Sequence, residues 1–490
     1  MSSANHSFSP LSTALYVAGW MFVMLQGWGA HLTGDPTQLL SKPIDTVQRI
    51  VVRDLELAEA NQREAPLQSV RSALFGSFEQ VLDASIAIQR QVSEDGAKRV
   101  EFEDQHPAVL PAIDAEALVQ LNAGLVVSLA EAGEVKEALD LAQRLLPGEL
   151  HDALQAIYGA TGADGATAPK PETRVLESLA AAGLSDWLLE RPEIGLLSRS
   201  GDDDAGTVIS HRIEQRGTRW QRRTEALTAA SFLLIAAGAV LLIALARNPV
   251  LRKSPAPAIV PWSMAQGFGV LVRGDFWNRL YFVTLAELSD QLQEPELLDP
   301  FYTFGTLIAS LPMLWLIHRH LVQSSPSAFL GTFGLSPKRV QIVPILSVAA
   351  AALAIDLLGT SALAWGSFGL GFESHWAEGL DETLIWGSTR EVIQSCVDYL
   401  VWTPVFEELM FRGLLFYTLR NRFGAWQAAA MSAVFFSAIH FYSFPGFMMT
   451  FWSGFVWAMA FERARSLLPG ILAHSVYNLF FVLGILLIYR

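Results

Sequence analysis

Long apolar stretches, each about the length of a membrane-crossing helix, are the main feature of the polarity pattern. A bilayer core needs about 20 consecutive apolar residues of helix. Runs of this kind lie at 11–30, 226–245, 258–272 (the weakest), 300–317, 341–365, 397–419, 424–440, 444–461 and 467–489. The pattern predicts an all-α fold, a polytopic membrane helix bundle with about eight or nine spans.

The segment between the first two runs has a different character. Residues 31–223 are charged and rich in Ala, Leu, Glu and Gln, which predicts an extramembrane helical domain. Within it, residues 121–146 place Ala123 and Ala138 on two amphipathic stretches with Gly133 in a turn between them. This spacing fits one tetratricopeptide-like helical pair, and it fits an ordinary helical hairpin equally well.

These stretches divide the chain into four predicted parts. Residues 1–30 form a membrane anchor helix, favoured over a signal peptide because no basic segment precedes the apolar run. The acidic helical domain 31–223 follows, then a transmembrane region 224–339, and a C-terminal membrane domain 340–490.

Composition and charge narrow the class of protein. Apolar residues make up 51% of the chain and charged residues 17%, against roughly 25% charged in an average soluble protein. The net charge of −14 comes mainly from 31–223 and argues against nucleic acid as a partner, since nucleic-acid binding needs a basic surface. The single cysteine, Cys396, excludes an intrachain disulfide.

The distribution of Lys and Arg between the runs predicts an orientation. The basic loops contain Arg319, Lys338 and Arg339, then Arg420 and Arg422, then Arg463 and Arg465, and they alternate with acidic or neutral segments. Basic loops tend to stay in the cytoplasm. We therefore expect a multi-pass protein of the plasma (inner) membrane with residues 31–223 outside the cytoplasm.

Charged residues within the run 397–419 carry the strongest chemical signal. Glu407, Glu408 and Arg412 interrupt an apolar helix, and a charge at membrane depth costs at least a few kcal/mol, so it normally marks a function. Glu408 and Arg412 are four residues apart and can pair on one helix face. Glu407 is rotated by about 100° and can face a cavity instead. The alternative is a buried salt bridge that only holds helices together.

Polar residues in two later runs complete the set. His440 ends the first of them, and His474 and Asn478 share a face of the last one. In this combination Glu407 could take a proton from water as a general base, with His440 positioning that water. His474 and Asn478 could donate hydrogen bonds to the oxyanion that forms as water attacks a peptide carbonyl.

The three motifs EExxxR, FxxxH and HxxxN, in this order on C-terminal spans, resemble the CPBP family of type II CAAX prenyl endopeptidases and their bacterial relatives. The resemblance covers roughly residues 340–490. It implies an intramembrane endopeptidase that hydrolyses a peptide bond of a membrane-associated protein. It also implies that Glu407 and His440 activate water, that His474 and Asn478 stabilise the oxyanion, and that Glu408 and Arg412 support them.

A role for metal is left open by the residues and is not favoured. Glu407, His440 and His474 together would make an acceptable zinc ligand set. The HExxH motif is absent, however, and a water molecule activated by glutamate suffices chemically. We expect a glutamic, metal-independent protease without a cofactor.

Two other classes of function compete with proteolysis. A non-catalytic membrane scaffold or immunity-type binding protein would not need the four residues Glu407, His440, His474 and Asn478. An ion-coupled transporter would show internal repeats, and none is convincing. The expected partners are the lipid bilayer and a protein or peptide substrate recruited by 31–223. The protease interpretation requires the four side chains to meet at one site.

Overall fold

The structure is a computed structural model of the 490-residue chain. It describes residues 8–33, 40, 42–63, 76–105, 115–159, 173–247, 260, 262–291, 298, 301–302, 304–322, 329–336, 341–372 and 374–490. These residues form helices, turns and irregular segments and contain no strand. The predicted all-α fold is confirmed.

The helices follow one another along the chain. The first nine are α1 (Pro10–Thr33), α2 (Pro43–Arg63), α3 (Phe78–Gln105), α4 (Ala115–Glu131), α5 (Val135–Leu145), α6 (Gly148–Tyr158), α7 (Thr173–Ala181), α8 (Trp187–Arg199) and α9 (Asp203–Arg247). The others are α10 (Met264–Gln291), α11 (Gly305–Leu316), α12 (Phe329–Thr332), α13 (Ile342–Gly369), α14 (Glu382–Trp386), α15 (Thr389–Val397), α16 (Thr403–Glu407), α17 (Tyr417–Leu419), α18 (Ala425–Ala438), α19 (Phe444–Ala464) and α20 (Leu468–Gly484).

The chain divides into two compact units. One contains Met1–Pro36 and Leu227–Ile485, and the other contains Thr37–Ala226 and Leu486–Arg490. The finer division predicted from the sequence, with a boundary at residue 339, stays a prediction.

The unit built on Thr37–Ala226 contains the predicted helical hairpin. Helices α4 and α5 meet at a turn in which Gly133 has a φ of +92°, a conformation that favours glycine. Ala123 and Ala138 are fully buried, so the small residues lie where the two helices pack. The structure therefore confirms a helical hairpin, and a tetratricopeptide repeat would need further units that this pair alone does not supply.

The last five residues of the chain also belong to this unit. The Tyr489 hydroxyl donates a hydrogen bond to Asp54 Oδ1 at 3.2 Å, and Arg223 donates to the carbonyl of Leu487 at 2.6 Å. Burial raises the pKa of Asp54 to about 7, and the hydrogen bond from Tyr489 opposes this shift only in part. Asp54 thus changes its charge near neutral pH.

The other unit is a helix bundle with a continuous apolar core. Helix α19 packs against α13 and α18, and α20 packs against α13. Large side chains such as Phe411, Phe416 and Trp457 are buried in this core. The functional motifs of α16, α18 and α20 therefore lie in one packed body.

Four of the described helices are long and apolar enough to cross a membrane. They are Asp203–Ile243, Ile342–Gly369, Phe444–Ala464 and Leu468–Tyr489. The other predicted runs also form helices, but two of these are short: α11 has 12 residues and α18 has 14. The weak run at 258–272 lies partly outside the described residues, and from Met264 it belongs to a longer helix, Met264–Gln291, which includes the charged residues Arg273 and Asp275.

The helical stretch 389–419 is not the unbroken α-helix that the apolar run predicts. Two π-helical segments, Asp398–Trp402 and Glu408–Phe416, interrupt it. Pro404 has no amide hydrogen for the turn before it, which gives a physical reason for the first interruption. The second begins at Glu408, and π-helical insertions are frequent at functional sites.

Candidate active site

The adjacent carboxylates lie at the junction between α16 and the second π-helical segment. Glu407 is the last residue of α16, and its side chain is 19% exposed, whereas Glu408 and Arg412 are completely buried. Glu408 Oε1 lies 3.0 Å from Arg412 Nη1, so the predicted pair forms. The two carboxylates therefore differ in access: only Glu407 can be reached by water.

Arg412 is held from several sides. It donates from Nη2 to the carbonyl of Gly454 at 3.2 Å. Its guanidinium carbon lies 4.4 Å from the ring centre of Phe436 and 5.1 Å from that of Trp457. Aromatic faces attract a desolvated cation. These contacts fix the guanidinium, and with it the carboxylate of Glu408.

Gly470 in α20 explains how Glu408 fits against the next helix. A Cβ atom at position 470 would overlap Glu408 Oε2. The absence of a side chain in the sequence Pro469-Gly470 therefore allows the buried carboxylate to approach the α20 backbone.

The His474 ring lies between the two carboxylates. Its Nε2 is 3.9 Å from Glu407 Oε2, and its Nδ1 is 3.5 Å from Glu408 Oε1. One face of the ring stacks on Trp457, with 4.1 Å between ring centres and an angle of 22° between the planes. The stacking fixes the plane of the imidazole, so that its Nε2 edge is directed to the exposed carboxylate.

His440 follows the end of α18, where the chain turns. Its Nδ1 is 2.6 Å from the carbonyl oxygen of Phe436. A carbonyl can only accept, so Nδ1 carries the proton and Nε2 is left with a lone pair in the neutral ring. The Phe436 ring contacts both histidines, at 4.8 Å from His440 and 6.4 Å from His474. His440 therefore joins the site through Phe436.

Asn478 lies one helical turn beyond His474. Its side-chain amide donates to the backbone carbonyl of Tyr399 at 2.9 Å. This bond uses one of its two amide hydrogens and leaves the other for a further acceptor.

The structure thus brings Glu407, Glu408, Arg412 and His474 into one contact cluster. His440 borders this cluster through Phe436, and Asn478 lies one turn from His474 on the same helix. The meeting of Glu407, His440, His474 and Asn478 at one site stays a prediction.

Comparison with known proteins gives a family for this part of the chain. Residues 390–480 match the family described as type II CAAX prenyl endopeptidase Rce1-like. This segment is similar to an Rce1-like domain. The predicted resemblance to the CPBP family is confirmed, and it supports CAAX-type intramembrane proteolysis as the general activity. No curated protein and no solved structure matches the chain.

A polar cavity of about 410 Å³ opens beside the Rce1-like site. It is lined by Tyr302, Thr306, Asp381, Thr383, Ser388, Arg390, Glu391, Gln394, Ser395, Asp398 and Tyr399. Tyr399, which lines this cavity, accepts a hydrogen bond from Asn478 through its carbonyl, so the cavity lies next to Asn478. A polar cavity at this place can admit water and a polar backbone.

The described residues do not fit a metal centre. No group of three or more His, Cys, Asp or Glu side chains within them could hold a metal ion. The set Glu407, His440 and His474 therefore lacks the arrangement of a zinc site, and no step below is assigned to a metal. Independence from cofactors stays a prediction.

The sequence reasoning missed three residues around the site: Asp356, Ser453 and Trp457. Asp356 is fully buried in α13 and accepts a hydrogen bond from the Ser453 hydroxyl at 2.7 Å. The sequence does contain a signal for Asp356, because it is the one charged residue in the apolar run 341–365. An intramembrane carboxylate is a functional hypothesis by default.

Proposed function

We propose that the Rce1-like domain hydrolyses a peptide bond of a membrane-associated protein with water as the nucleophile. The observation that carries this proposal is the position of His474 between a water-accessible carboxylate, Glu407, and a buried one, Glu408. A salt bridge that served only to hold helices together would need neither Glu407 nor the histidine.

In the proposed first step, Glu407 takes a proton from a water molecule, and the neutral Nε2 of His440 accepts a hydrogen bond from the same water. The water oxygen then forms a bond to the substrate carbonyl carbon. The π electrons of the carbonyl move to its oxygen, which becomes the oxyanion. General-base assistance of this kind typically contributes about 10²- to 10⁴-fold in rate.

The oxyanion accepts hydrogen bonds from the Nε2–H of His474, whose ring carries a proton on both nitrogens for this step because Nδ1 faces Glu408, and from the remaining amide hydrogen of Asn478. Collapse of the tetrahedral intermediate breaks the carbon–nitrogen bond, and protonated Glu407 returns its proton to the leaving amine. The products are a carboxylic acid and an amine, and Glu407 is again ionised.

Glu408 and Arg412 support this chemistry without contacting the substrate. Arg412 neutralises Glu408, and Glu408 faces the Nδ1 side of His474. The buried pair therefore holds the histidine against Glu407 and adds no net charge to the site.

The test is cleavage of a panel of membrane-tethered protein substrates by the full chain in lipid vesicles. Glu407→Gln keeps the side-chain shape and removes the base, so we expect cleavage to fall by about 10²-fold or more. The matched control is Glu287→Gln, which alters an exposed carboxylate of α10. Equal cleavage by wild type and Glu407→Gln would refute the assignment.

We also propose that the acidic helical domain recruits the substrate. Its surface is rich in carboxylates, which fits a partner with basic segments. Deleting residues 43–199 should change the choice among the panel substrates more than the rate on a short generic transmembrane peptide. A uniform loss on every substrate would contradict the recruiting role.

The proposed orientation places this domain outside the cytoplasm, with the chain in the plasma (inner) membrane. The chain offers a direct test, because Cys396 is its only cysteine. In a Cys396→Ser background, Glu137→Cys introduces a thiol at a side chain that is 50% exposed. Labelling by a membrane-impermeant maleimide in intact cells is expected, and labelling only after lysis would reverse the orientation.

A further inference from the structure

Asp356 is a buried carboxyl that the proposed reaction does not use. It lies in α13, outside the Rce1-like segment 390–480, and no part of its surface is exposed. Its Oδ1 accepts from the Ser453 hydroxyl, whereas its Oδ2 is buried without a hydrogen-bond partner. An incompletely bonded buried carboxyl is costly, so it calls for an explanation.

The indole of Trp457 lies next to this carboxyl. Ser453 and Trp457 are four residues apart and share one face of α19. The Trp457 N–H lies near the Asp356 carboxyl without meeting the geometry of a hydrogen bond. Asp356 Oδ2 and the Trp457 N–H are thus a buried acceptor and a buried donor, and each lacks a hydrogen-bond partner.

Trp457 in turn supports the catalytic histidine. Its ring stacks on His474 at 4.1 Å, and the guanidinium of Arg412 lies 5.1 Å from its centre. Any rotation of the indole would therefore move the surface on which the imidazole rests. A continuous series of contacts runs from Asp356 through Trp457 to His474.

We infer that Asp356 is a positioning residue that orients His474 through Trp457. It does not contact the substrate. It holds the indole at the angle that directs His474 Nε2 to Glu407 and to the oxyanion. This inference rests on the proposed function for its kinetic consequences, but the orientation of His474 can be measured without any substrate.

Asp356→Asn separates this role from simple helix packing. The asparagine has nearly the same volume, but an NH2 donor replaces one of the two carboxyl oxygens, so either the Ser453 hydroxyl or the Trp457 N–H loses its acceptor. Misplacing a catalytic group through a mutation away from the chemistry can cost about 10²-fold in rate. We expect a kcat lowered by this factor with KM unchanged, because the substrate contacts stay in place.

Trp457→Phe provides the coupling test. Phenylalanine keeps a ring against His474 but has no N–H for Asp356 to attract. In the Trp457→Phe background, Asp356→Asn should therefore produce little further loss of kcat. Equal losses in both backgrounds would mean that Asp356 acts through helix packing alone, and would overturn the inference. Ser453→Ala is the control, since it removes the hydrogen bond from Ser453 to Asp356 but leaves the indole N–H in place, and it should leave kcat nearly unchanged.

The second readout is the nuclear magnetic resonance signal of His474 in histidine-labelled protein, assigned with His474→Gln. A stacked indole shifts the imidazole signals strongly, so Asp356→Asn should move them toward the position seen in Trp457→Leu. An unchanged signal in a folded Asp356→Asn protein would overturn the inference.

Absence of cleavage by wild type would instead count against the proposed function, and the resonance experiment would still decide the role of Asp356. Should Asp356→Asn fail to fold, Trp457→Phe must by itself lower kcat and shift the His474 signal, and no change in either would overturn the inference.

Discussion

Replacing Arg412 with methionine would leave the carboxylate of Glu408 in the core without its counter-charge. Both side chains are completely buried, and their charged atoms are 3.0 Å apart. At this distance and an effective dielectric constant of about 20, the attraction between unit charges is about 5 kcal/mol. Breaking a buried pair by removing one partner costs about 3–5 kcal/mol in measured cases. We expect Arg412→Met to lower the free energy of unfolding by this amount.

The control is the pair of Arg420 and Glu462. It has two contacts of 3.1 Å, each side chain keeps 14% of its surface exposed, and Glu462 also pairs with Arg465 at 2.9 Å. Water reaches this pair, and Glu462 would keep Arg465 as a counter-charge after Arg420 is replaced. Arg420→Met should therefore destabilise the protein much less than Arg412→Met.

The assay is reversible unfolding of the purified chain in mixed micelles with increasing denaturing detergent, followed by circular dichroism. The double variant Glu408→Gln with Arg412→Met no longer buries an isolated charge. The double variant should lose less free energy of unfolding than the two single variants lose together. The difference should be about 1–3 kcal/mol, which is the usual coupling between contacting residues. A cost for Arg412→Met equal to that of Arg420→Met, or strict additivity in the double variant, would refute the reasoning.

Three further predictions concern other parts of the chain. Gly470→Ala should destabilise the protein by about 1–3 kcal/mol and reduce cleavage, because the new Cβ would overlap Glu408 Oε2. Gly366→Ala, with open space around the added atom, should be neutral or slightly stabilising in the same denaturation assay, and equal effects would contradict this account. The pKa of Asp54 rises from 3.8 to about 7 on folding, so the folded protein keeps a proton that the unfolded chain releases. Stability should consequently fall as pH rises from about 4 to about 7, and Asp54→Asn, which cannot ionise beside Tyr489, should flatten this part of the pH profile of thermal unfolding. Finally, chelators such as EDTA and phenanthroline should leave cleavage unchanged, and a loss restored by zinc would show that the reaction needs metal.

The sequence predicted those features that depend on local spacing. Glu408 and Arg412 are four residues apart, and helix geometry alone was enough to pair them. The same holds for the hairpin around Gly133, where a glycine between two amphipathic stretches marks the turn. The length of the apolar runs also indicated where helices lie. The run 258–272 did not show how far its helix extends, because that helix, Met264–Gln291, continues past the charged residues Arg273 and Asp275.

Features that depend on the register of backbone hydrogen bonds or on distant helices were not predicted. An α-helix and a helix with π-helical segments would show the same apolar pattern over 397–419. The pattern therefore does not predict that the hydrogen bonding becomes π-helical at Glu408. The contact between Asp356 and Ser453 joins residues 97 positions apart, and no spacing rule connects them. The stacking of Trp457 on His474 likewise requires two helices to be packed before it exists.

The difference in exposure between the two glutamates now gives a physical basis for roles that were first implied by a family resemblance. A general base for water must be reached by water, and it must have room to accept and return a proton. Glu407 meets the first condition with 19% of its side chain exposed, while Glu408 has no exposed surface and its charge is neutralised by Arg412. Exchanging the roles would require Glu408 to leave Arg412 during each turnover, at the cost of breaking a buried ion pair. Glu407→Gln should therefore mainly remove cleavage, and Glu408→Gln should mainly remove stability.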